Sequence, residues 1–302
     1  MSSQLSADYL ASQGIQLHTT PSSLALLHIE NAAMQAELSL YGGQVLSFKP
    51  LSTAADILYS SPLAYFQAGK AIKGGVPLCW PWFGADPEGL GRAAHGFART
   101  SVWQLVSAER LSAGVTQVVL QLSDSAETRA IWDYAFKVAL TLTFAEELTL
   151  ALTTTNLDSK AFNLTQALHT YFRVGEISQS HIQGLSGVDY QDKAKQATSL
   201  QHTQQGAISI QGEVDRVYAA CPEVIYLTDS HLLREIRIHG TGSQSTVVWN
   251  PWQAISQQMA DLPDDAYQHF VCIETCNAGQ DVISLAPQAN HTLSATYRLV
   301  QL

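Results

Sequence analysis

The sequence contains little charge for its length and is poor in basic residues. Sixteen Lys and Arg stand against 26 Asp and Glu in 302 residues, which gives a formal net charge of −10. A protein that binds nucleic acid needs a basic surface to displace the counterions of the phosphates, so no nucleic-acid partner is expected. An anionic small molecule would have to be bound by a local cluster of Lys and Arg, against the field of the whole protein.

Signals for export and for membrane insertion are also missing. The N-terminal residues show no basic segment followed by an apolar one, and no apolar run approaches the roughly 18 residues that span a bilayer. The four cysteines lack CxxC spacing, which indicates free thiols rather than a disulfide framework. These absences predict a cytoplasmic protein that does not associate with membranes.

Motifs that bind common cofactors are absent as well. The sequence has no GxGxxG and no P-loop, so no nucleotide cofactor is expected. It has no HxH or HExxH pattern that would indicate a metal site, and no GxSxG that would indicate a serine nucleophile. Neither a metal centre nor nucleophilic catalysis is therefore expected.

What the chain does contain is an apolar pattern of period two along most of its length, which is typical of strands with one buried face. Helix is expected only at 4–13 and 251–259. Many short strands with little helix predict an all-β fold, a large antiparallel sandwich or barrel. We predict a single domain over 1–302, with 1–23 as an N-terminal extension. The predicted strands are 24–29, 36–41, 45–48, 115–122, 136–144, 148–155, 163–174, 224–228, 235–239, 245–249, 269–275 and 292–299.

One long segment, residues 73–99, does not follow the strand pattern. It is rich in Gly, Pro and Trp, contains His95, and is bracketed by Lys73 and Arg99. Proline and glycine exclude a helix interior or a central strand here, and the aromatic residues argue against disorder. Two cations that bracket an ordered loop suit the binding of a phosphate or a carboxylate.

Two pairs of tryptophans allow two interpretations. Trp80 and Trp82 lie within the long loop, and Trp249 and Trp252 flank Asn250 and a proline. The rings either belong to the core or are exposed, where they would stack on the C–H face of a sugar. In the second case, Asn250 would donate hydrogen bonds to sugar hydroxyls.

His169 lies in a stretch that is predicted to be a strand. Alternation would place it on one face with Tyr171 and Arg173, opposite Leu168 and Phe172. Because the apolar pair belongs to the core, His169 would face a groove or solvent. It is then either a general acid or base near neutral pH or a surface histidine bonded to a neighbouring strand.

Glu274 lies in a stretch that is apolar on both faces. Phe270, Cys272 and Cys276 would share its face, and the opposite face is equally apolar. This pattern predicts a central strand buried on both sides. A carboxylate there must be paired, protonated or functional, so Glu274 is either a structural residue bound to an Arg or a general base with a pKa above the reference value of ~4.3.

Six motifs together resemble one family, the hexose-6-phosphate mutarotases within the aldose 1-epimerase superfamily. They occur in order over about residues 25–300, so that the resemblance covers nearly the whole chain. They are Lys73-Gly-Gly-Val-Pro-Leu-Cys-Trp-Pro-Trp-Phe-Gly, His95-Gly-Phe-Ala-Arg99, Leu168-His-Thr-Tyr-Phe-Arg, Asp215-Arg-Val-Tyr, Trp249-Asn-Pro-Trp and Cys272-Ile-Glu-Thr.

The resemblance implies a galactose mutarotase-like β-supersandwich and cofactor-free exchange of the α and β anomers of a hexose 6-phosphate. It makes His169 and Glu274 the catalytic acid and base. Lys73 stands where the family commonly has Arg, and Ala94 where some members have a Gln that touches substrate. A monomer is expected. The substrate-binding residues that we predict are Lys73, His95, Arg99, Asp215, Trp249 and Asn250.

Two other functions fit parts of the same pattern. One is an aldose 1-epimerase that acts on unphosphorylated sugar, against which Lys73 and Arg99 argue. The other is a carbohydrate-binding module that performs no chemistry. A glycoside hydrolase would need two carboxylates flanking the scissile bond, and only Glu274 can be proposed.

Overall fold

The computed structural model shows an almost entirely β protein. α-Helix within the described residues is confined to α1 (Ala7–Ser12), α2 (Ala126–Ile131) and α3 (Trp252–Ser256), of which the first and last were predicted. None of the described helices is long and apolar enough to cross a membrane. The structure describes residues 5–194, 197, 201–220 and 222–302, so Cys221 lies outside the described residues.

The strands are mostly short and antiparallel, as predicted. In the first half of the chain they are β1 (Ile15–Thr19), β2 (Ala25–Glu30), β3 (Met34–Ser39), β4 (Gln44–Pro50), β5 (Leu78–Cys79), β6 (Gln104–Ser112), β7 (Val115–Ser123), β8 (Phe136–Phe144) and β9 (Glu147–Asn156). In the second half they are β10 (Phe162–Leu164), β11 (Gln166–Leu168), β12 (Tyr171–Arg173), β13 (Ser180–Gln183), β14 (Asp189–Asp192), β15 (Gln201–Thr203), β16 (Ile208–Ser209), β17 (Val214–Tyr218), β18 (Ile225–Asp229), β19 (Arg234–Thr241), β20 (Ser245–Asn250), β21 (Phe270–Asn277), β22 (Ile283–Leu285) and β23 (Asn290–Gln301).

A nine-stranded sheet forms one layer, in the order β16-β13-β18-β19-β23-β9-β8-β7-β6. Its centre contains the hairpin predicted from the sequence, in which Phe144 of β8 pairs with Leu148 of β9. The alternating apolar residues of both strands are buried. Period-two alternation therefore identified the centre of this sheet correctly.

An eight-stranded sheet faces it, in the order β15-β14-β17-β20-β21-β11-β5, with β12 also paired to β21. Every residue of β21 is buried, which confirms the prediction of a central strand covered on both sides. Val271 and Ile273 belong to the core between the sheets, whereas Phe270 and Cys272 lie in a separate cluster on the outer face. The outer face of this sheet is where polar side chains can meet a ligand.

One hydrophobic core joins the layers. Phe172 of β12 packs edge-on against Tyr297 of β23, with ring centroids 4.9 Å apart. The ring of Phe48 in β4 lies near that of Phe144 in β8, with ring centroids 6.5 Å apart. Strand β4 belongs to a four-stranded sheet in the order β1-β2-β3-β4. The four-stranded and the eight-stranded sheets therefore cover the same face of the nine-stranded sheet.

The sequence did not predict several strands, among them β1, β6, β14 and β15. The residues of β6 are largely exposed, and in β14 and β15 exposed residues alternate with half-buried ones. Without one clearly apolar face, such strands lack the alternation that reveals a strand in a sequence. Strand β1 lies within the predicted N-terminal extension and pairs along its whole length with β2.

Candidate active site

His169 and Glu274 are brought together by strand register. Leu168 of β11 lies opposite Thr275, and Tyr171 of β12 lies opposite Cys272. The same register continues across the gap between β11 and β12, so His169 stands directly across from Glu274. Directly opposed residues on one face of an antiparallel pair are close neighbours. Accordingly, His169 Nε2 is 3.4 Å from Glu274 Oε1.

On the outer face of the eight-stranded sheet, Glu274 is buried and His169 is largely buried. The exposed fraction is 12% for the His169 side chain and 1% for that of Glu274. Burial lowers the pKa of His169 well below its ordinary value, and nearby cations act in the same direction. Burial also raises the pKa of Glu274 well above its ordinary value, and the charge of Asp215 adds to this effect. The site therefore disfavours a charge on either partner.

The pair retains polar atoms that can bind a ligand. Among the described residues, neither His169 Nδ1 nor Glu274 Oε2 has a hydrogen-bond partner, although both atoms are buried. Buried polar atoms are normally hydrogen-bonded. The His169 imidazole stacks on the ring of Tyr171, with centroids 5.1 Å apart, and meets the ring of Trp249 edge-on, with centroids 6.0 Å apart. These aromatic contacts fix the plane of the His169 ring.

His95 lies beside the pair, with its ring centroid 5.9 Å from that of His169. The backbone N–H of Gly84 donates to His95 Nδ1 at 3.2 Å. Burial lowers the pKa of His95 to about 3, and the charge of Arg99 contributes to the shift. The ring is therefore neutral and carries its proton on Nε2, which makes it a hydrogen-bond donor rather than a base.

Gly96 allows this loop to approach the core. It adopts a φ of +69°, and a Cβ atom placed on it would lie 2.0 Å from the carbonyl oxygen of Trp80. That oxygen accepts the N–H of Phe97 at 3.0 Å, so the loop cannot move away without losing the bond. The sequence His95-Gly96 is thus explained by a close contact between two backbone segments.

Replacing Gly96 with Ala is expected to lower the free energy of unfolding by more than about 1 kcal/mol. A Cβ atom would strain the backbone at this positive φ and would clash with the carbonyl oxygen of Trp80. Gly89 provides a matched control, because it has the same φ of +69° but open space within 4 Å of the point where a Cβ atom would lie. Urea unfolding should show a larger loss for Gly96→Ala than for Gly89→Ala, and equal losses would contradict this interpretation.

Arg99 and Lys73 supply positive charge to the site. Arg99 lies in a 3₁₀ turn, Ala98–Thr100, and its Nη2 donates to the carbonyl oxygen of Ala94 at 2.9 Å. Its charge acts on the pKa values of both His169 and Glu274. Lys73 Nζ lies 3.6 Å from Asp261 Oδ2. Lys73 is therefore already paired, whereas Arg99 keeps most of its donors for a ligand.

Lys193 is a third cation near the site that the sequence did not predict. Its backbone N–H donates to the carbonyl oxygen of Asp215 at 2.7 Å, and its charge acts on the pKa values of His95 and Asp215. The side chain is exposed and follows β14, a strand with little buried surface. No local signal distinguishes such a lysine from an ordinary solvated charge.

Asp215 and Trp249 lie in the row next to the pair, because Asp215 of β17 is opposite Trp249 of β20, whereas Glu274 is opposite Val247. Trp249 in turn is opposite Cys272 of β21, so all three share the outer face with Glu274. Burial raises the pKa of Asp215, and the charge of Lys193 opposes the shift. This row places a carboxylate and an indole ring beside His169 and Glu274.

The structure does not leave Asn250 free for a substrate. Asn250 is fully buried, and its amide donates to the carbonyl oxygens of Tyr267 and Phe270, both at 2.9 Å. Its oxygen accepts the N–H of Trp252. Neighbouring residues of a strand point to opposite faces, so Trp249 on the outer face places Asn250 on the inner face. The prediction of Asn250 as a sugar ligand is therefore wrong.

The tryptophans of the long loop are core residues. Trp80 is 0% exposed and Trp82 is 2% exposed. Trp80 Nε1 donates to Thr154 of the nine-stranded sheet at 3.0 Å, and its ring meets that of Phe136 at 4.6 Å. Of the two interpretations of these rings, the structural one holds, and they anchor the loop that contains His95 and Arg99.

Comparison with known proteins agrees with this architecture. The family model of aldose 1-epimerase matches residues 25–298. A protein of Escherichia coli K12, provisionally named a glucose-6-phosphate 1-epimerase, is 36% identical over 259 residues, which cover 85% of this chain and 84% of that protein. A relative from Cenchrus ciliaris with the same provisional name is 34% identical, and the match covers 92% of this chain and 85% of the relative.

Solved structures show the same fold. A crystal structure from Salmonella typhimurium, provisionally described as a mutarotase, matches with a TM-score of 0.88 and 28% identity, covering 95% of this chain and 94% of that one. A galactose mutarotase-like protein from Clostridium acetobutylicum matches with a TM-score of 0.73 at 14% identity, covering 95% and 98% of the two chains. The predicted fold and the resemblance seen in the sequence are thereby confirmed. The chain belongs to the aldose 1-epimerase family.

Proposed function

We propose that this protein is a hexose-6-phosphate mutarotase, which interconverts the α and β anomers of glucose 6-phosphate or a related sugar phosphate. The observation that carries the proposal is the buried pair of His169 Nε2 and Glu274 Oε1, 3.4 Å apart. This acid and base lie beside the aromatic rings of Tyr171 and Trp249 and near the loop that contains Arg99. Such a site suits a sugar ring that carries an anionic group. The provisional names of the relatives support the same substrate.

The reaction requires two proton transfers. A base removes the proton of the O1 hydroxyl while an acid protonates the ring oxygen O5, and the C1–O5 bond breaks to give the open-chain aldehyde. Rotation about C1–C2 followed by ring closure gives the other anomer, with the proton transfers reversed. Glu274 acts as the base at O1 and His169 as the acid at O5. Each positioned acid or base contributes on the order of 10²–10⁴-fold.

The burial of the pair explains how it can supply both groups. Burial favours neutral His169 and protonated Glu274. In this state the pair shares one titratable proton, which is on the carboxyl group. Transfer of that proton from the carboxyl group to the imidazole produces the carboxylate and the imidazolium that the reaction uses. Both forms contain the same number of protons, so neither ring opening nor ring closure requires exchange with solvent.

The phosphate group is proposed to bind the cationic side of the site. Arg99 offers a planar guanidinium that can donate two parallel hydrogen bonds to phosphate oxygens. Lys193 adds positive charge, and Lys73 remains a weaker candidate because Asp261 already pairs with it. His95 Nε2, Asp215 and the Trp249 ring would then bind the hydroxyls and the apolar face of the sugar.

The same proposal includes a monomer that acts in the cytoplasm. Cys79 and Cys272 are free and buried, which is usual for a protein of a reducing compartment. Exchange NMR with glucose 6-phosphate tests the proposed activity directly. A rate of anomer exchange that stays at the uncatalysed background with the wild-type protein would refute it.

The pH dependence is expected to differ from that of an ordinary histidine. The pair is active when it holds one titratable proton. Activity therefore falls on the acid side when a second proton binds and His169 and Glu274 are both protonated, at a pH below the ordinary His pKa of 6.5. Activity falls on the basic side when the shared proton is lost, above the ordinary Glu pKa of 4.5. We therefore expect kcat not to fall as the pH is lowered through 6.5.

The measurement is kcat at saturating substrate, because the phosphate group itself titrates near pH ~6. His95, whose pKa is about 3, does not titrate in this range. Asp215→Asn provides a directional check, since removal of its charge should lower the pKa of Glu274 and move the basic limb to lower pH. A kcat of the wild-type protein that falls to half its maximum as the pH is lowered to 6.5 would contradict the expectation.

A further inference from the structure

The catalytic histidine lies at an interruption between two strands. β11 ends at Leu168 and β12 begins at Tyr171, while both pair with β21 in one continuous register. The N–H of His169 donates to the carbonyl oxygen of Pro77, in the long loop, at 3.0 Å. The backbone at His169 therefore bonds to the loop that contains His95 and Arg99, and its position depends on the neighbouring residue, Thr170.

Thr170 forms a tight local turn at this interruption. Its backbone N–H donates to the carbonyl oxygen of Leu168 at 2.9 Å, and its hydroxyl donates to the same oxygen at 3.2 Å. Its own carbonyl oxygen accepts a long bond of 3.3 Å from the N–H of Ile273. The side chain is 0% exposed and points into the core, opposite His169.

The Thr170 hydroxyl has a second partner, from the other sheet. The hydroxyl of Tyr297, in β23, lies 2.5 Å from Thr170 Oγ1. Both contacts are satisfied when the Thr170 hydroxyl donates to Leu168 and accepts from the Tyr297 hydroxyl. Burial raises the pKa of Tyr297, which keeps the phenol protonated. The Tyr297 ring is itself fixed edge-on against Phe172, 4.9 Å away.

We propose that Tyr297 and Thr170 are positioning residues for the catalytic pair, since their hydrogen bond fixes the turn that places the His169 imidazole against Glu274. Tyr297 is held in the nine-stranded sheet, and its bond to Thr170 holds the turn in place. The turn in turn sets the position of His169 on the face where substrate is proposed to bind. Neither hydroxyl reaches the outer face, so neither touches the sugar. This inference rests on the proposed function for its kinetic test but not for its spectroscopic one.

Thr170→Val and Tyr297→Phe each remove this bond while preserving size. We expect each to lower kcat for glucose 6-phosphate about tenfold or more, as for a misplacement near 1 Å, with KM changed less than twofold. The double variant should be no slower than the slower single variant, because both substitutions remove one interaction. Thr170→Ser keeps the hydroxyl and should restore most of the activity.

A matched substitution separates positioning from general loss of stability. Thr116 is also a fully buried threonine whose hydroxyl bonds a side chain outside its own sheet, that of Asn31, at 3.2 Å. Thr116→Val should lower the unfolding midpoint without changing kcat. An unchanged kcat in folded Thr170→Val and Tyr297→Phe, or an equal loss in Thr116→Val, would overturn the inference.

A second readout needs no catalysis. The ¹⁵N chemical shifts of the His169 ring, recorded without substrate, report which nitrogen carries the proton and how it changes with pH. We expect both Thr170→Val and Tyr297→Phe to shift these signals and the midpoint of their titration, whereas Thr116→Val leaves them unchanged. Unchanged shifts in all three would overturn the positioning role, even if the wild-type protein exchanges no anomers. Background exchange alone would refute only the proposed function.

Discussion

Glu274→Gln is expected to lower the catalysed exchange of glucose 6-phosphate anomers by about 10²–10⁴-fold. Gln has nearly the same shape as Glu but cannot accept the O1 proton or return it. Because Glu274 and His169 are proposed to act together in one step, His169→Ala should cause a similar loss, and the double variant should be little worse than either. Exchange NMR at saturating substrate, with the spontaneous rate subtracted, measures all three.

The loss should not come from unfolding. Burial raises the pKa of Glu274, so at neutral pH the unfolded chain ionises this group more readily than the folded protein does. A raised carboxyl pKa therefore lowers stability above the unfolded value of ~4.3, and Gln removes this effect. The thermal midpoint of Glu274→Gln should equal or exceed that of the wild type.

Two results would separate the competing interpretations of Glu274. Glu37→Gln, at an exposed position of β3, is a matched control that should leave the rate unchanged. If Glu274→Gln keeps the wild-type rate, the assignment of the base is wrong. If it binds glucose 6-phosphate normally and the wild-type rate is also at background, the protein is a binding module.

Arg99→Ala is expected to raise KM for glucose 6-phosphate by about 10–100-fold and to leave kcat within a few-fold. Hydrogen bonds to a charged group contribute about 1.5–3 kcal/mol, and each 1.4 kcal/mol corresponds to a factor of ten. The phosphate lies away from the reacting atoms and binds equally in the ground state and the transition state, so its loss affects mainly KM. Initial rates over a range of substrate concentrations separate the two constants.

The same variant contains its own control. Unphosphorylated glucose makes no phosphate contact, so Arg99→Ala should alter its exchange only slightly. Arg129→Ala removes a charge that already pairs with Asp124 and should change the exchange rate of neither substrate. Lys73→Ala should have a smaller effect than Arg99→Ala, because Asp261 already binds Lys73. Equal losses on both substrates would show that Arg99 serves the loop rather than the phosphate.

Much of this site was accessible from the sequence because it depends on local patterns. Alternation in β21 predicted both the burial of Glu274 and the residues on its face, and the structure agrees. The pattern around His169 correctly separated Leu168 and Phe172, which enter the core, from Tyr171. The ordered motifs were sufficient to identify the family.

Other features required contacts between distant residues. Asn250 resembled a sugar ligand beside Trp249, but its neighbours in space use all of its donors. Lys193 follows a strand with little buried surface, so only folding shows that it lies near Asp215. Trp80 could have been a sugar platform or a core residue, and its bond to Thr154 decides for the core.

The sequence by itself therefore determined the strands with an apolar face, the buried carboxylate and the family. Side chains alternate with period two along a strand, and this property is local. Only the tertiary structure decided that His169 stands across from Glu274, and that Tyr297 reaches Thr170 from the opposite sheet. Register between strands far apart in the chain is set by packing of the whole core, and the pKa shifts of the pair follow from that burial.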